Sequence, residues 1–237
     1  MAVIIPARDE EERLGRCLDS MRAAMDRLAH ARPQIQARAI VVADSCTDGT
    51  AQIAGRHASE DWRISVQQVG FGNVGASRAA GARHALGLLA AAGDPGAIWL
   101  ASTDADTCVP EHWLQGFARL HSRGADAVAG TVEPDRSELE EHIFALWQQE
   151  YQAVEGHGHI HGANFGVCAA AYLAVGGFEP LAAREDVALV EALRHAGYRV
   201  QATARLQATT SGRLRGRLGE GFADYLAALD HRMLNTG

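Results

Sequence analysis

The stretch Ala97-Ile-Trp-Leu-Ala-Ser-Thr-Asp-Ala-Asp106 runs a short apolar segment straight into two acids spaced i and i+2. A short apolar run bounded by turn formers has the length of a buried strand rather than of a helix. In an open parallel sheet, ligands bind beyond the carboxyl ends of the strands. Asp104 and Asp106 therefore stand where such a fold keeps its site.

The same rhythm extends on both sides. Residues 2–5, 39–43 and 64–69 are further apolar, β-branched runs. A helical pattern follows each. The first begins at about Glu10, where Leu14, Leu18, Met21, Met25 and Leu28 share one face; the others start at Thr50 and span 74–92. Pro6 is expected to stop the first strand. Downstream, the spacing predicts helices from beyond Pro110 to about Arg123 and over 138–154, 186–195 and 216–234. Strands are predicted over 127–131 and 198–204, and the glycine-rich segment 156–177 mixes a strand with a short helix. Strands alternating with helices define an α/β fold, a mostly parallel central sheet flanked by helices. No linker or shift of composition divides the 237 residues, which suit one domain.

Hydrophobic residues make up 47% and charged residues 22%, ordinary proportions for a globular enzyme. A net charge of −7 disfavours nucleic acid as a partner, because phosphate contacts need a basic face. Cys17, Cys46, Cys108 and Cys168 are scattered, with no C-x-x-C pair. That spacing suits a reducing cytoplasm better than a zinc knuckle or a disulfide scaffold. The N-terminus has no basic stretch followed by a long apolar one, so no signal peptide is expected. No apolar run approaches the roughly 20 residues a membrane helix requires.

Three predicted strand ends collect acids: Pro6-Ala-Arg-Asp-Glu10, Asp44-Ser-Cys-Thr-Asp48 and Asp104-Ala-Asp106. Taken singly, Asp48 reads equally as a helix cap and Glu10 as an acid in a first helical turn. Two carboxylates two residues apart repel each other unless a cation lies between them. Mg²⁺ and Mn²⁺ take oxygen ligands and leave positions open for substrate phosphates. An Asx turn without an ion is the alternative for this pair.

In order along most of its length, the chain resembles the family 2 glycosyltransferases of the GT-A fold, a nucleotide-diphospho-sugar transferase superfamily. Val3-Ile-Ile-Pro-Ala-Arg-Asp-Glu-Glu11 is similar to their opening strand and nucleotide loop, which implies donor contacts from Pro6, Ala7, Arg8 and Glu10. Val41-Val-Ala-Asp44 resembles the second-strand motif whose Asp meets the base. Gly75-Ala-Ser-Arg-Ala-Ala-Gly81 places Arg78 at the residue that reaches the diphosphate or base. Asp104-Ala-Asp106 matches the metal motif, with Asp104 and Ala105 also touching donor and Mn²⁺ or Mg²⁺ as cofactor. His161-Gly-Ala-Asn-Phe-Gly166 resembles the acceptor-side strand, implying acceptor contacts from Gly162, Ala163 and Asn164. Glu185-Asp-Val-Ala-Leu189 resembles the stretch carrying the catalytic carboxylate, with Asp186 as general base and Glu185 beside it. Residues 1–106 would then form the nucleotide part and 107–237 the acceptor part.

Two departures stand out. Ala43 fills the first of two acids common after the second strand, and Thr209-Thr-Ser-Gly-Arg213 replaces a late metal-binding His. Water is expected to take that ligand position. Arg213, Arg215 and Arg217 alternate before the last helix, either as an arm over the diphosphate, with Arg213 foremost, or as a solvated cationic loop. The alternating His157, His159 and His161 would share one face of a strand; lining an acceptor pocket suits them better than zinc. Trp99, Trp113 and Trp147 suit a core, Trp147 being the one placed to meet an acceptor. Glu185 and Asp186 also have a plain reading, as acids favouring a helix N-terminus.

The sequence thus predicts a cytoplasmic, inverting transferase using a nucleotide-diphosphate sugar, a UDP-sugar ahead of a GDP-sugar, with no membrane span and the acceptor unassigned. Homodimer formation stays open. A nucleotidyltransferase would need more cations after the first strand than Arg8 alone, and a non-catalytic scaffold would have no use for Asp104, Asp106 and Asp186 together.

Overall fold

A computed structural model describes residues 1–90, 93–216 and 221–234. Seven strands form one sheet: β1 (Ala2–Ala7), β2 (Arg38–Asp44), β3 (Ile64–Val69), β4 (Trp99–Ser102), β5 (Ala127–Pro134), β6 (Phe165–Cys168) and β7 (Val200–Thr210). Their spatial order is β3-β2-β1-β4-β6-β5-β7, and β6 alone runs antiparallel to its neighbours. The helices are α1 (Leu14–Ala31), α2 (Thr50–Glu60), α3 (Val74–Leu89), α4 (Trp113–His121), α5 (Glu141–Glu150), α6 (Ala169–Ala174), α7 (Glu185–His195) and α8 (Phe222–Leu234). Among the described residues, no helix is long and apolar enough to cross a membrane.

Strand order reverses at β1, which has β2 on one side and β4 on the other. A crevice opens at such a switch point, beyond the carboxyl ends of the strands. β1 does not stop at Pro6 as expected but continues to Ala7, opposite Ala43. The Ile4 carbonyl accepts from Thr103 N, so Ile4 points its backbone toward β4, and Pro6, two residues on, points the same way. Pairing with β4 ends at Ile4 opposite Ser102, so the missing N–H of Pro6 falls where no partner strand remains.

α1 begins at Leu14 rather than at about Glu10, because the preceding acids are drawn to the β2–α2 turn. The Asp9 carboxylate accepts from Thr47 N at 2.7 Å and Glu11 from Gly49 N at 2.7 Å, and Glu10 N donates to Thr50 Oγ1 at 2.7 Å. Asp48 takes its capping role, accepting from Thr50 N and Glu11 N. The helix expected over 138–154 is shorter, ending at Glu150, while β7 runs on to Thr210 beside β5. Both glycines of the Gly75–Gly81 segment serve close approach. A side chain at Gly75 would meet the Glu179 carbonyl at 2.1 Å, and one at Gly81 the Ile4 side chain at 2.6 Å.

The main core lies on both faces of β1, β2 and β4 and includes the fully buried Ile4, Ile5, Leu14, Leu18, Met21 and Phe117. A second, smaller core gathers Val132, Ile143, Phe144, Trp147, Leu226 and Leu229 between β5, α5 and α8.

Candidate active site

A cavity of about 600 Å³ lies at the carboxyl ends of β1, β2 and β4. It joins the ends of those strands to the turn before β6, the start of α7 and the start of α8. Pro6, Ala7, Arg8, Glu10, Asp44, Arg78, Asp104, Ala105 and Asp106 all line it. So do Gly162, Ala163, Glu185, Asp186 and Arg213. Three non-glycine residues adopt left-handed backbone: Arg184 at φ 61°, which lines the cavity, and Asp9 at φ 48° and Ser45 at φ 55°, each next in sequence to a lining residue. Strain of this kind, about 1–3 kcal/mol each, persists where surrounding contacts fix the chain, as they do around a binding site.

Asp44 is buried and heavily engaged. Its carboxylate accepts from the backbone N–H of Phe71 (2.7 Å), Gly72 (2.8 Å) and Asn73 (3.0 Å), and from the hydroxyl of Ser77 (2.7 Å). Burial works against its charge, but the donors at Gly72, Ser77 and Asn73 outweigh it and hold the carboxyl below the usual range. Asp44 therefore shapes the turn entering α3, whose N-cap is Asn73, accepting from Ala76 N at 2.9 Å. An Asn directly before the apolar periodicity signals that cap in sequence. The bonds to Asp44 have no such signal.

Arg78, on α3, is 2% exposed and ties two parts of the site together. Its Nη2 donates to Asp104 at 2.5 Å, and its Nε faces Glu185 at 3.3 Å as a charge contact rather than an aligned hydrogen bond. Gly162 packs on this guanidinium; a Cβ there would lie 2.5 Å from Nη2. Burial pushes the Glu185 carboxyl up, Arg78 opposes the rise and Asp186 adds to it. Asp186 accepts from Gly162 N at 2.5 Å and from Val187 N at 2.8 Å. The first turn of α7 is thereby fixed against the turn that precedes β6.

Arg213 occupies the opposite corner. Its Nη2 lies 2.8 Å from Asp106 Oδ2 and 2.8 Å from Glu10 Oε1, and its Nη1 donates to Glu10 Oε2 at 3.1 Å. Burial, then the charge of Asp104, pushes the Asp106 carboxyl up to about 6, with Arg213 pulling the other way. Asp104 and Asp106 supply the oxygen donors that Mg²⁺ or Mn²⁺ prefers. The pair fits such an ion. Among the described residues no cluster of three or more His, Cys, Asp or Glu forms a full cage, so water and phosphate oxygens would complete the shell. Thr210 and Ser211 line the cavity near the position where the late His is replaced. Arg217 lies outside the described residues.

Two residues expected at the acceptor side stand elsewhere. Asn164 is fully buried behind the cavity, accepting from Trp113 Nε1 at 2.8 Å and donating to the carbonyls of Thr131 (2.8 Å) and Leu206. A side-chain amide with its bonds filled by the core cannot turn outward without orphaning them. Trp147 is 4% exposed, packed between Phe144 and Tyr151 in the second core. Tyr151 intervenes and lines the cavity in its place. The three histidines do not converge on a point. His157, His159 and His161 stack at centroid spacings of 5.5 and 6.1 Å, bonded respectively to the Thr203 carbonyl, the Gln152 carbonyl and the Tyr151 hydroxyl.

Residues 2–163 match the sequence profile of glycosyl transferase family 2. The chain belongs to that family. Among solved structures it is similar to a mannosyltransferase from Pyrobaculum calidifontis in complex with GDP-Man and Mn²⁺, with a TM-score of 0.63 and 19% identity over 91% of this chain. It is also similar to a mycobacterial protein, with a TM-score of 0.56 and 18% identity, over 98% of this chain and 71% of that one. The chain spans 57% of the length of the mannosyltransferase. The sheet and its flanking helices are those of the GT-A fold. No curated protein matches the sequence.

Proposed function

We propose that this chain transfers a sugar from a nucleotide-diphosphate donor to a hydroxyl acceptor, with inversion. The observation carrying this reading is the continuity of one cavity from Asp44 through Asp104 and Asp106 to Asp186. A donor lies with its base toward Asp44, within the nucleotide part formed by residues 1–106. Its diphosphate lies between the guanidinium groups of Arg78 and Arg213, which match phosphate oxygens well. Asp104 and Asp106 would hold a Mn²⁺ or Mg²⁺, which would supply Lewis-acid neutralisation of a leaving diphosphate. The residues from 107 onward present the acceptor to Asp186, which takes the proton of its hydroxyl as general base. Gly162 N and Val187 N hold that carboxylate in place.

A UDP-sugar remains the first donor to try. The mannosyltransferase complex makes GDP-mannose the second. The cytoplasm, where such donors are at hand, is the setting that fits this reading. The test is thermal unfolding with UDP-, GDP- and dTDP-sugars, each with and without Mn²⁺, followed by measurement of nucleoside diphosphate release. Metal-dependent stabilisation by one nucleotide family is the expected result. No stabilisation by any of them would point instead to a non-catalytic scaffold.

A further inference from the structure

Opposite the arginine-lined half of the cavity, the wall changes character. Tyr151 stacks on His159 with centroids 4.0 Å apart and planes 16° apart, and on its other side against Trp147 at 5.1 Å. Phe222 meets His161 edge-on at 6.0 Å, and Tyr225 stands 6.1 Å from Phe222. The rings are held at their polar ends. The Tyr151 hydroxyl accepts from Val132 N at 3.1 Å and pairs with His161 Nε2 at 2.9 Å. Burial, then the neighbouring His159 and His157, pulls His161 down to about 3, so its ring stays neutral.

Charge sharpens the contrast. Arg8, Arg78 and Arg213 line the half nearest the strand ends, and Arg184 belongs to the turn before α7. The charged side chains lining the ring-bearing half are Glu150, paired with Arg232 at 2.9 Å, and Asp224, which accepts from Gly221 N. Among the described residues lining this wall, none is an arginine that could take a phosphate. An acceptor carrying one, such as a polyprenyl phosphate, would face acids and neutral rings.

We infer that this half of the cavity is a subsite for an uncharged acceptor that lays a ring face on His159, Phe222 and Tyr225, with Tyr151 backing His159, while its hydroxyl reaches Asp186. The subsite presupposes the transferase reading above, and it adds the acceptor class: a neutral, ring-bearing alcohol, either a sugar or an aryl compound. Both offer a flat, weakly polar face to an aromatic wall. Asp186 is joined to the wall through Gly162, the residue after His161.

The test uses the full chain and saturation-transfer NMR with three probes: methyl β-glucoside, p-nitrophenyl β-glucoside and farnesyl phosphate. Nucleotide binding is titrated on the same samples. At least one glucoside binds and farnesyl phosphate binds more weakly; equal binding of the two glucosides assigns the face to the sugar, and preference for the nitrophenyl compound assigns it to the aryl ring. Phe222→Ala and Tyr225→Ala each weaken the bound glucoside by about three- to tenfold, the worth of one ring contact, and leave nucleotide affinity unchanged. Phe222→Leu keeps apolar bulk without the ring and covers the case in which the alanine variant loses its circular-dichroism spectrum. The subsite is overturned if neither glucoside binds, if farnesyl phosphate binds as tightly as they do, or if the ring substitutions change nothing. Ring-dependent glucoside binding in a protein that binds no nucleotide would instead sink the transferase reading and leave the subsite standing.

Discussion

Arg78 bridges Asp104 and Glu185, one at 2.5 Å and the other at 3.3 Å, joining the end of β4 to the start of α7 through a single buried guanidinium. Removing one partner of a buried ion pair leaves charge uncompensated and costs about 3–5 kcal/mol. Arg78→Met is therefore expected to lower the melting temperature by roughly 6–20 °C. Arg78→Lys keeps the charge but not the fork of donors, and should fall between the two. Calorimetry on the three proteins decides it; a wild-type melting temperature for Arg78→Met rules the bridge out as a structural tie.

Asp186→Asn keeps the size of the side chain and removes the proposed base. Turnover should drop by about 10²–10⁴, with nucleotide affinity within twofold of wild type, an interval set by about 0.4 kcal/mol. Near-normal turnover in this variant would withdraw the base from Asp186.

Asn164→Ala separates a core role from an acceptor role. Truncation orphans Trp113 Nε1 and the carbonyls of Thr131 and Leu206. The cost is about 2–5 kcal/mol in unfolding free energy. Urea unfolding measures it, and a loss of acceptor affinity without loss of stability contradicts the core assignment.

Much of this was legible in the sequence, for a physical reason. Strand ends in a parallel sheet are marked by an abrupt switch from apolar to acidic or turn residues, as at Ala101 to Asp106 and Ala43 to Asp48. Helical spacing marked α1 equally well, and alanine content marked α3. Hydrogen-bond commitments leave no such trace. Asn164 follows two small residues like many pocket asparagines, yet Trp113, distant in sequence, claims its oxygen. Asp44 is spent largely on the Phe71–Asn73 turn, a partnership only the fold creates. Tyr151 carries no local pattern at all, and its place on the cavity wall follows from where α5 ends.

Arg213→Gln tests the opposite corner. Loss of the guanidinium takes one cationic partner from Asp106 and from Glu10. Mn²⁺ alone should then bind more tightly, while nucleotide binds about tenfold more weakly through loss of a charge-assisted contact. Electron paramagnetic resonance of free Mn²⁺ and nucleotide titration report the two separately. If neither moves, Arg213 has no part in charge balance.

His161 sets a pH dependence. Its folded value, about 3, lies below the unfolded one near 6.5, so the unfolded chain takes up a proton first as acidity rises. Its contribution to stability is whole above pH 6.5 and is lost as pH falls from there toward 3. His161→Gln should flatten the fall of melting temperature between pH 6.5 and 4 relative to wild type. Parallel curves for the two proteins would place the ring in contact with solvent.

The second core, with Ile143, Phe144 and Trp147 from α5 and Leu226 and Leu229 from α8, backs the ring wall apart from the packing beneath β1, β2 and β4. Under the proposed transfer, such separation would make acceptor choice evolvable. Drift in two helices would redirect the acceptor while the nucleotide half is inherited intact, so a library randomised in α5 and α8 should yield changed acceptor preferences on an unchanged donor.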